Sequence, residues 1–306
     1  MDIKKLSHSK ILVVGDAMLD RYWVGDVTRI SPEAPVPVVH VSRSEERLGG
    51  VANVAANIAS VGACPSLLCV VGNDEPGRVL ERFAREQGIT PYFQYDNSLN
   101  TTVKLRVVAR QQQMLRCDFE SNLADEVLSK LLDKFRALLA EHDVLILSDY
   151  GKGGLSNIVS MIAMARDAGI PVLIDPKGDD YSRYHGATLL TPNRAELRQV
   201  VGSWKTEEEL TAKAQALRSE LDLKYLLLTR SEEGMTLYFE GGQITVPTQA
   251  REVYDVSGAG DTVIAILATM LATGMPIEEA VRTANRAAGV VVGKLGTATV
   301  SYEELF

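Results

Sequence analysis

Ile11-Leu-Val-Val14-Gly15-Asp16 is the stretch on which the fold turns. It is apolar at every position rather than every second one, so a strand here has both faces covered, as in a parallel sheet layered between helices. Leu67–Val71, Val144–Leu147, Val172–Ile174, Leu189–Leu190 and Tyr225–Leu228 repeat the pattern, each bounded by Gly, Asp or Pro. Helical periodicity fills the intervals: Val51–Val61, Gly77–Gln87, Ala124–Leu139, Leu155–Ala168 and Glu207–Leu221. Gly62, Gly88 and Gly169 stand just past three of these helices, where a C-cap belongs. Alternating strand and helix predicts an α/β fold with a doubly wound, mostly parallel sheet flanked by helices.

Two segments depart from that alternation. Residues 21–41 carry Pro32, Pro35 and Pro37 among Tyr22, Trp23, Val36 and Val38, and residues 92–119 include the alternating runs Thr101–Ala109 and Gln113–Phe119. Both read as extended strands. They are expected to form a small antiparallel sheet, a lid on the main body whose exposed face or edge makes a homodimer contact. No linker, low-complexity tract or internal repeat divides the chain, so residues 1–306 are expected to form one domain.

With 32 basic and 40 acidic residues the formal charge is −8, which argues against a general nucleic-acid or anionic-membrane binder. Cys64, Cys69 and Cys117 suggest neither a disulfide framework nor a zinc ribbon, and no apolar run approaches the ~20 residues needed to cross a bilayer. A reducing cytoplasm is the expected setting. His8, His40, His142 and His185 lack ligand spacing.

Asp255-Val-Ser-Gly258-Ala259-Gly260-Asp261 runs straight into the helical Thr262-Val-Ile-Ala-Ile-Leu. Its glycines let the backbone approach a ligand, and a helix N-terminus favours an oxyanion or phosphate. Asp261 would repel a phosphate unless it takes a proton from the attacking hydroxyl, as in phosphoryl transfer. A plain helix cap fits these residues as well.

Other candidates follow the predicted strands, at the sheet rim where open α/β proteins bind ligands. Asp16 and Asp20 suit either sugar hydroxyls or a turn. Gly49, Gly50 and Asn53 open the second helix, as structural glycines or as a polyol site. Asn193 and Glu196 read as a capping box or as holders of the water shell of Mg2+. Lys177 can neutralise nucleotide phosphate, and the turn containing Thr229, Ser231 and Gly234 can touch a nucleotide. Lys104 and Arg106 share a strand face and, with Arg116, make a basic cluster suited to a substrate phosphate or to solvent. Neither G-x-G-x-x-G nor G-x-x-x-x-G-K-[ST] occurs.

Gly49-Gly50 with Asn53, Asn193-x-x-Glu196 and Gly258-Ala-Gly-Asp261 stand in the order and approximate spacing of the ribokinase-like carbohydrate kinases, the PfkB superfamily, and the resemblance spans nearly the whole chain. Val14–Trp23, Arg29–Val38, Leu147–Gly153, Leu173–Gly178 and Gly289–Thr297 resemble the branch that acts on a heptose 7-phosphate. The resemblance implies ATP-dependent phosphorylation of D-glycero-D-manno-heptose 7-phosphate at the anomeric O1, on the route to ADP-heptose and lipopolysaccharide. It implies that Asp261 is the base and that amides of Ser257 to Gly260 stabilise the transferred phosphoryl group. Asn193 and Glu196 then serve ATP and Mg2+, with Asn285 also at the nucleotide, while Asp16, Gly49, Gly50 and Asn53 contact sugar. Asp255, Gly296 and Ser301 are the expected contributors to a monovalent cation site, K+ in such enzymes. Bifunctional relatives continue into a nucleotidyltransferase domain, so that second activity is expected to be absent from these residues. The alternatives are another ribokinase-like sugar kinase, a non-catalytic sugar-phosphate-binding regulator and, weakened by the missing glycine fingerprint, a nicotinamide dehydrogenase.

Overall fold

A short helix, α1 (Ile3–Leu6), leads into β1 (Lys10–Gly15), whose side chains alternate between two cores. Ile11 and Val13 enter the core on one side of the sheet, Leu12 and Val14 the core on the other, which is why the run is apolar throughout. The computed structural model describes residues 3–110, 112–121, 123–249, 253–294 and 296–306; Gln111 within the expected 92–119 lid span, and Leu295 within the resembling 289–297 stretch, lie outside these.

β2 (Ala17–Ile30) and β3 (Pro37–Gly50) leave the main layer, and α2 (Val51–Ser60), β4 (Cys64–Gly72), α3 (Glu75–Glu86) and β5 (Thr90–Asp96) return to it. β6 (Val103–Ala109) and β7 (Gln112–Phe119) leave again. The alternation resumes with α4 (Asp125–Leu139), β8 (Val144–Ser148), α5 (Ile158–Asp167), β9 (Val172–Asp175), β10 (Leu189–Leu190), α6 (Arg194–Val201), α7 (Glu207–Glu220) and β11 (Tyr225–Thr229). An antiparallel edge of β12 (Met235–Phe239) and β13 (Gly242–Val246) follows, then α8 (Ala259–Ala272), α9 (Ile277–Val291) and α10 (Tyr302–Leu305).

Among the described residues the large sheet has the order β13-β12-β11-β10-β9-β8-β1-β4-β5, parallel from β5 to β11. The chain builds outward from β1 to β4 and β5, then restarts on β1's other side at β8. That reversal opens a crevice at the carboxyl ends of β1 and β8, the usual ligand position in open α/β sheets. One core lies under α2, α3, α8 and α9, the other under α4 to α7.

The small sheet has the order β3-β2-β6-β7 and corrects two expectations. It is mixed: β2 runs antiparallel to β3 but parallel to β6, because the chain crosses the main layer between them. Thr90–Asp96 lies outside it, as the parallel edge of the large sheet. An edge strand is covered on one flank only, and its half-buried pattern imitates that of a lid. β2 and β3 also extend past 21–41, so that Gly49 and Gly50 end a strand and abut α2 directly. Trp23, Ile30, Val41, Met114, Leu115 and Phe119 of these strands are exposed.

Candidate active site

Asp261 is the third residue of α8 and only 6% exposed, although it carries a carboxylate. Two donors hold it: Asn53 Nδ2 gives a hydrogen bond to Oδ2 at 2.7 Å, and the Tyr150 hydroxyl gives one to Oδ1. It makes no ion pair among the described residues. Burial pushes its pKa up to about 6, against the lowering effect of the Asn53 and Tyr150 hydrogen bonds; Asp20 raises it further and Lys104 lowers it. Asn53 sits one turn into α2, which the Thr262 hydroxyl ties to α8 through Asn57 Oδ1 at 3.0 Å.

Gly258 caps α8 with φ +76°, a left-handed conformation, and a Cβ there would lie 2.8 Å from Asn53 Nδ2. Two of the expected anion-binding amides are already engaged: Ser257 N–H bonds Asp255 Oδ1 at 2.9 Å and Ala259 N–H bonds the Val256 carbonyl at 3.2 Å. The amides of Gly258 and Gly260 donate to no described residue, so these two at the helix N-terminus are open to an anion.

Asp16, expected at the sugar, directly follows β1. Its carboxylate accepts the backbone N–H groups of Tyr150 (3.1 Å), Lys152 (3.0 Å) and Gly154 (2.9 Å), fixing the loop after β8. Asp20 is buried and pairs with Arg106 at 2.6 Å. Gly49 is packed against it, since a Cβ at Gly49 would meet Asp20 Oδ2 at 2.7 Å, and a Cβ at Gly50 would meet the Asp16 carbonyl at 2.4 Å. Lys104 reaches from the small sheet to within 5.8 Å of the Tyr150 ring.

A cavity of about 690 Å³ lies between the small sheet and the segment ahead of α8, lined among others by Tyr22, Arg43, Arg47, Arg106, Tyr254 and Asp255. Tyr22 lies between the guanidiniums of Arg47 and Arg106, at 5.4 and 5.1 Å from its ring centre. Of the basic cluster expected from the sequence only Arg106 lines this cavity. Arg116 is turned onto its own neighbour, Asp118, at 2.8 and 2.9 Å, while Arg43 and Arg47, from β3, take its place.

Further along the same rim, past β10, Asn193 and Glu196 form a complete capping box at the start of α6, each bond 3.0 Å, so the cap is real. Glu196 keeps its other oxygen 3.3 Å from Lys177 Nζ. Thr229 binds alongside through its N–H to the Pro192 carbonyl at 3.0 Å, and Ser231 and Gly234 make the tight turn from β11 into β12. Asn285 is buried and donates to the Pro247 carbonyl at 2.8 Å, which ties α9 to the chain after β13. Asp175, at the end of β9, has its pKa held well above the usual range by burial and by the charges of Asp261 and Glu196. Burial alone would raise the Asp255 carboxyl, yet the amides of Ser257 and Gly296 hold it below the ordinary range. Ser301 spends its hydroxyl capping α10.

Tyr150 and Asp175 were not singled out as site residues in the sequence. Both follow apolar strands directly, and strand ends are where a search for them would begin.

A carboxylate near neutrality beside open amides at a helix N-terminus, at the switch point of a doubly wound sheet, is the arrangement of an enzyme that moves a phosphoryl group onto a hydroxyl. The chain belongs to the pfkB family of carbohydrate kinases, whose profile matches residues 8–304. It is 55% identical over 302 residues to the D-beta-D-heptose 7-phosphate kinase of Bordetella bronchiseptica, covering 99% of this chain and 96% of that one. It is 52% identical over 306 residues to the bifunctional protein HldE of Methylococcus capsulatus, covering all of this chain but only 65% of that longer protein. Among solved structures, phosphofructokinase-2 of Escherichia coli superposes with a TM-score of 0.81 at 20% identity, covering 97% of each chain. Ribokinase of Thermotoga maritima gives a TM-score of 0.79 at 22% identity, also with 97% of each covered. These two likenesses establish the ribokinase-like fold. Among the described residues no helix is long and apolar enough to cross a membrane.

Proposed function

We propose that the chain transfers the γ-phosphoryl group of ATP to the anomeric O1 of D-glycero-D-manno-heptose 7-phosphate, giving heptose 1,7-bisphosphate and ADP. Asp261 takes the proton of the O1 hydroxyl as that oxygen attacks phosphorus in line, and the bond to the ADP oxygen breaks. The amides of Gly258 and Gly260 face the charge on the transferred group, and the small sheet acts as the lid that excludes water. The observation that carries this reading is the buried Asp261 carboxylate, which pairs with no basic side chain among the described residues, beside those open amides. Its pKa of about 6 keeps it ionised at neutral pH and close enough to neutrality to hold a proton. High identity to a heptose 7-phosphate kinase supports the choice of sugar.

The cavity between Arg43, Arg47 and Arg106 suits the phosphate that the substrate already carries, with Gly49, Gly50 and Asn53 at the sugar. Lys177, Asn193, Glu196, Thr229, Ser231, Gly234 and Asn285 mark the nucleotide side. Among the described residues no three His, Cys, Asp or Glu side chains form a metal cage. Glu196, with Asp175 nearby, offers oxygen donors that would hold Mg2+, and the ion would supply charge neutralisation on the nucleotide phosphates. Asp255, held ionised, would be the anionic member of a K+ site, with Gly296 and Ser301 as further contributors. The exposed apolar side chains of the small sheet support a homodimer formed through it. ATP as donor puts the reaction in the cytoplasm, as a step toward ADP-heptose for lipopolysaccharide.

The test is ADP release with ATP, Mg2+ and a panel containing heptose 7-phosphate, ribose, fructose 1-phosphate and a nucleoside. Strong preference for the heptose is expected. Preference for another sugar would move the assignment within the family, and no ADP release with any of them would favour a non-catalytic binder.

A further inference from the structure

We infer that Tyr150 is a positioning residue for the base: its hydroxyl pins one oxygen of Asp261 while Asn53 pins the other, so the remaining lone pairs face the acceptor hydroxyl. This rests on the kinase reading above. A carboxylate on a short side chain rotates freely about its terminal torsion unless both oxygens are held, and a base must present a lone pair along one direction to be effective. Asn53 supplies one anchor from α2 at 2.7 Å, and Tyr150 supplies the second from a different element, the loop after β8.

That loop is itself anchored. Asp16 receives the amides of Tyr150, Lys152 and Gly154, and Asp149 Oδ1 receives that of Gly151 at 2.8 Å, so four hydrogen bonds fix the turn carrying the tyrosine. Thus Asp16 acts on Asp261 through Tyr150. From the small sheet, Lys104 lies over the tyrosine ring at 5.8 Å, which puts the same phenol between that sheet and the base.

The tyrosine is a donor here. An ionised carboxylate only accepts, and the phenol is kept protonated by burial and by the charge on Asp261. The charged groups acting on Asp261 are Asp20 and Lys104 from the small sheet and Asp175 from β9, while Asn53 from α2 is neutral. Removing the phenol hydroxyl strips the carboxylate of a donor that favours its ionised form, and its protonation then occurs at higher pH.

The experiment compares the pH dependence of kcat for the wild type, Tyr150→Phe, Asp261→Asn, and a protein with 3-fluorotyrosine at 150, whose more acidic phenol donates more strongly. Phenylalanine keeps the ring and its packing. The substrate's phosphate ionises in the same range, but identically for every variant, so differences between profiles report the enzyme. Tyr150→Phe is expected to lose about tenfold or more in kcat, with KM for ATP within about twofold, and to move the acid limb up by about one pH unit. The fluorotyrosine protein is expected to move that limb down. An acid limb unchanged in Tyr150→Phe overturns the inference. Should Tyr150→Phe fail to fold, the isosteric fluorotyrosine protein decides, and an unmoved limb there overturns it equally. If Asp261→Asn keeps wild-type turnover, the base assignment itself has failed; if it is inactive while Tyr150→Phe matches the wild type, only the role of Tyr150 has.

Discussion

Replacing Asp261 by Asn should inactivate the enzyme and stabilise it. Burial carries this carboxyl from an ordinary value of 3.8 to about 6. Between those two values the folded protein holds a proton that the unfolded chain has released, so folding stability falls as pH rises through that window and stays reduced above it. At about 1.4 kcal/mol per pH unit the ionised side chain costs the fold about 3 kcal/mol at pH 8. Asparagine removes the charge but gives Asn53 and Tyr150 only one acceptor between them, which returns part of the gain, leaving about 1–3 kcal/mol. Turnover should drop by roughly 10²–10⁴, the contribution of a general base. Urea unfolding of both proteins at pH 8 and near pH 4 reads the stability, and ADP release with the sugar phosphate reads the activity. The stability gain must shrink toward zero at the acid end, because near pH 4 the folded wild type is almost fully protonated and the unfolded chain about half so, which leaves little of the charge cost. A variant less stable than wild type at pH 8, or equally more stable at both pH values, would refute this account of Asp261.

Gly258→Ala places a Cβ 2.8 Å from Asn53 Nδ2 at φ +76°, so a loss of about 1–2 kcal/mol from backbone strain and at least tenfold in kcat is expected by calorimetry and steady-state kinetics. Arg106→Gln leaves the buried Asp20 carboxylate without its 2.6 Å partner, and denaturant unfolding should show a loss of about 2–4 kcal/mol together with a raised KM for the sugar phosphate. Leu115→Glu combined with Phe119→Glu puts charge on two half-exposed positions of β7, and sedimentation should show a homodimer dissociating to monomer.

The chain alone decides a good deal here, wherever the physics is local. The all-apolar runs at Ile11, Leu67 and Val144 and the glycines that end the helices depend only on near neighbours, and the large sheet follows from them. Asp261 is legible because its glycines and helix start lie within seven residues of it. The capping box of Asn193 and Glu196 is equally local, being three residues long.

Tertiary structure decided the rest. Thr90–Asp96 has the alternation of a lid strand, and only pairing with β4 makes it an edge of the main sheet. Arg43 and Arg47 displace Arg116 from the basic cavity because β2 brings β3 over the segment ahead of α8, a juxtaposition across more than two hundred residues of chain. Tyr150 reaches Asp261 because β8 lies next to β1 and under α8, so strand order rather than any motif brings phenol and carboxylate together. The pKa of that carboxylate is likewise a property of the assembled site: solvent exclusion and donors from two separate elements set it, and none of these exists until the sheet has closed around them.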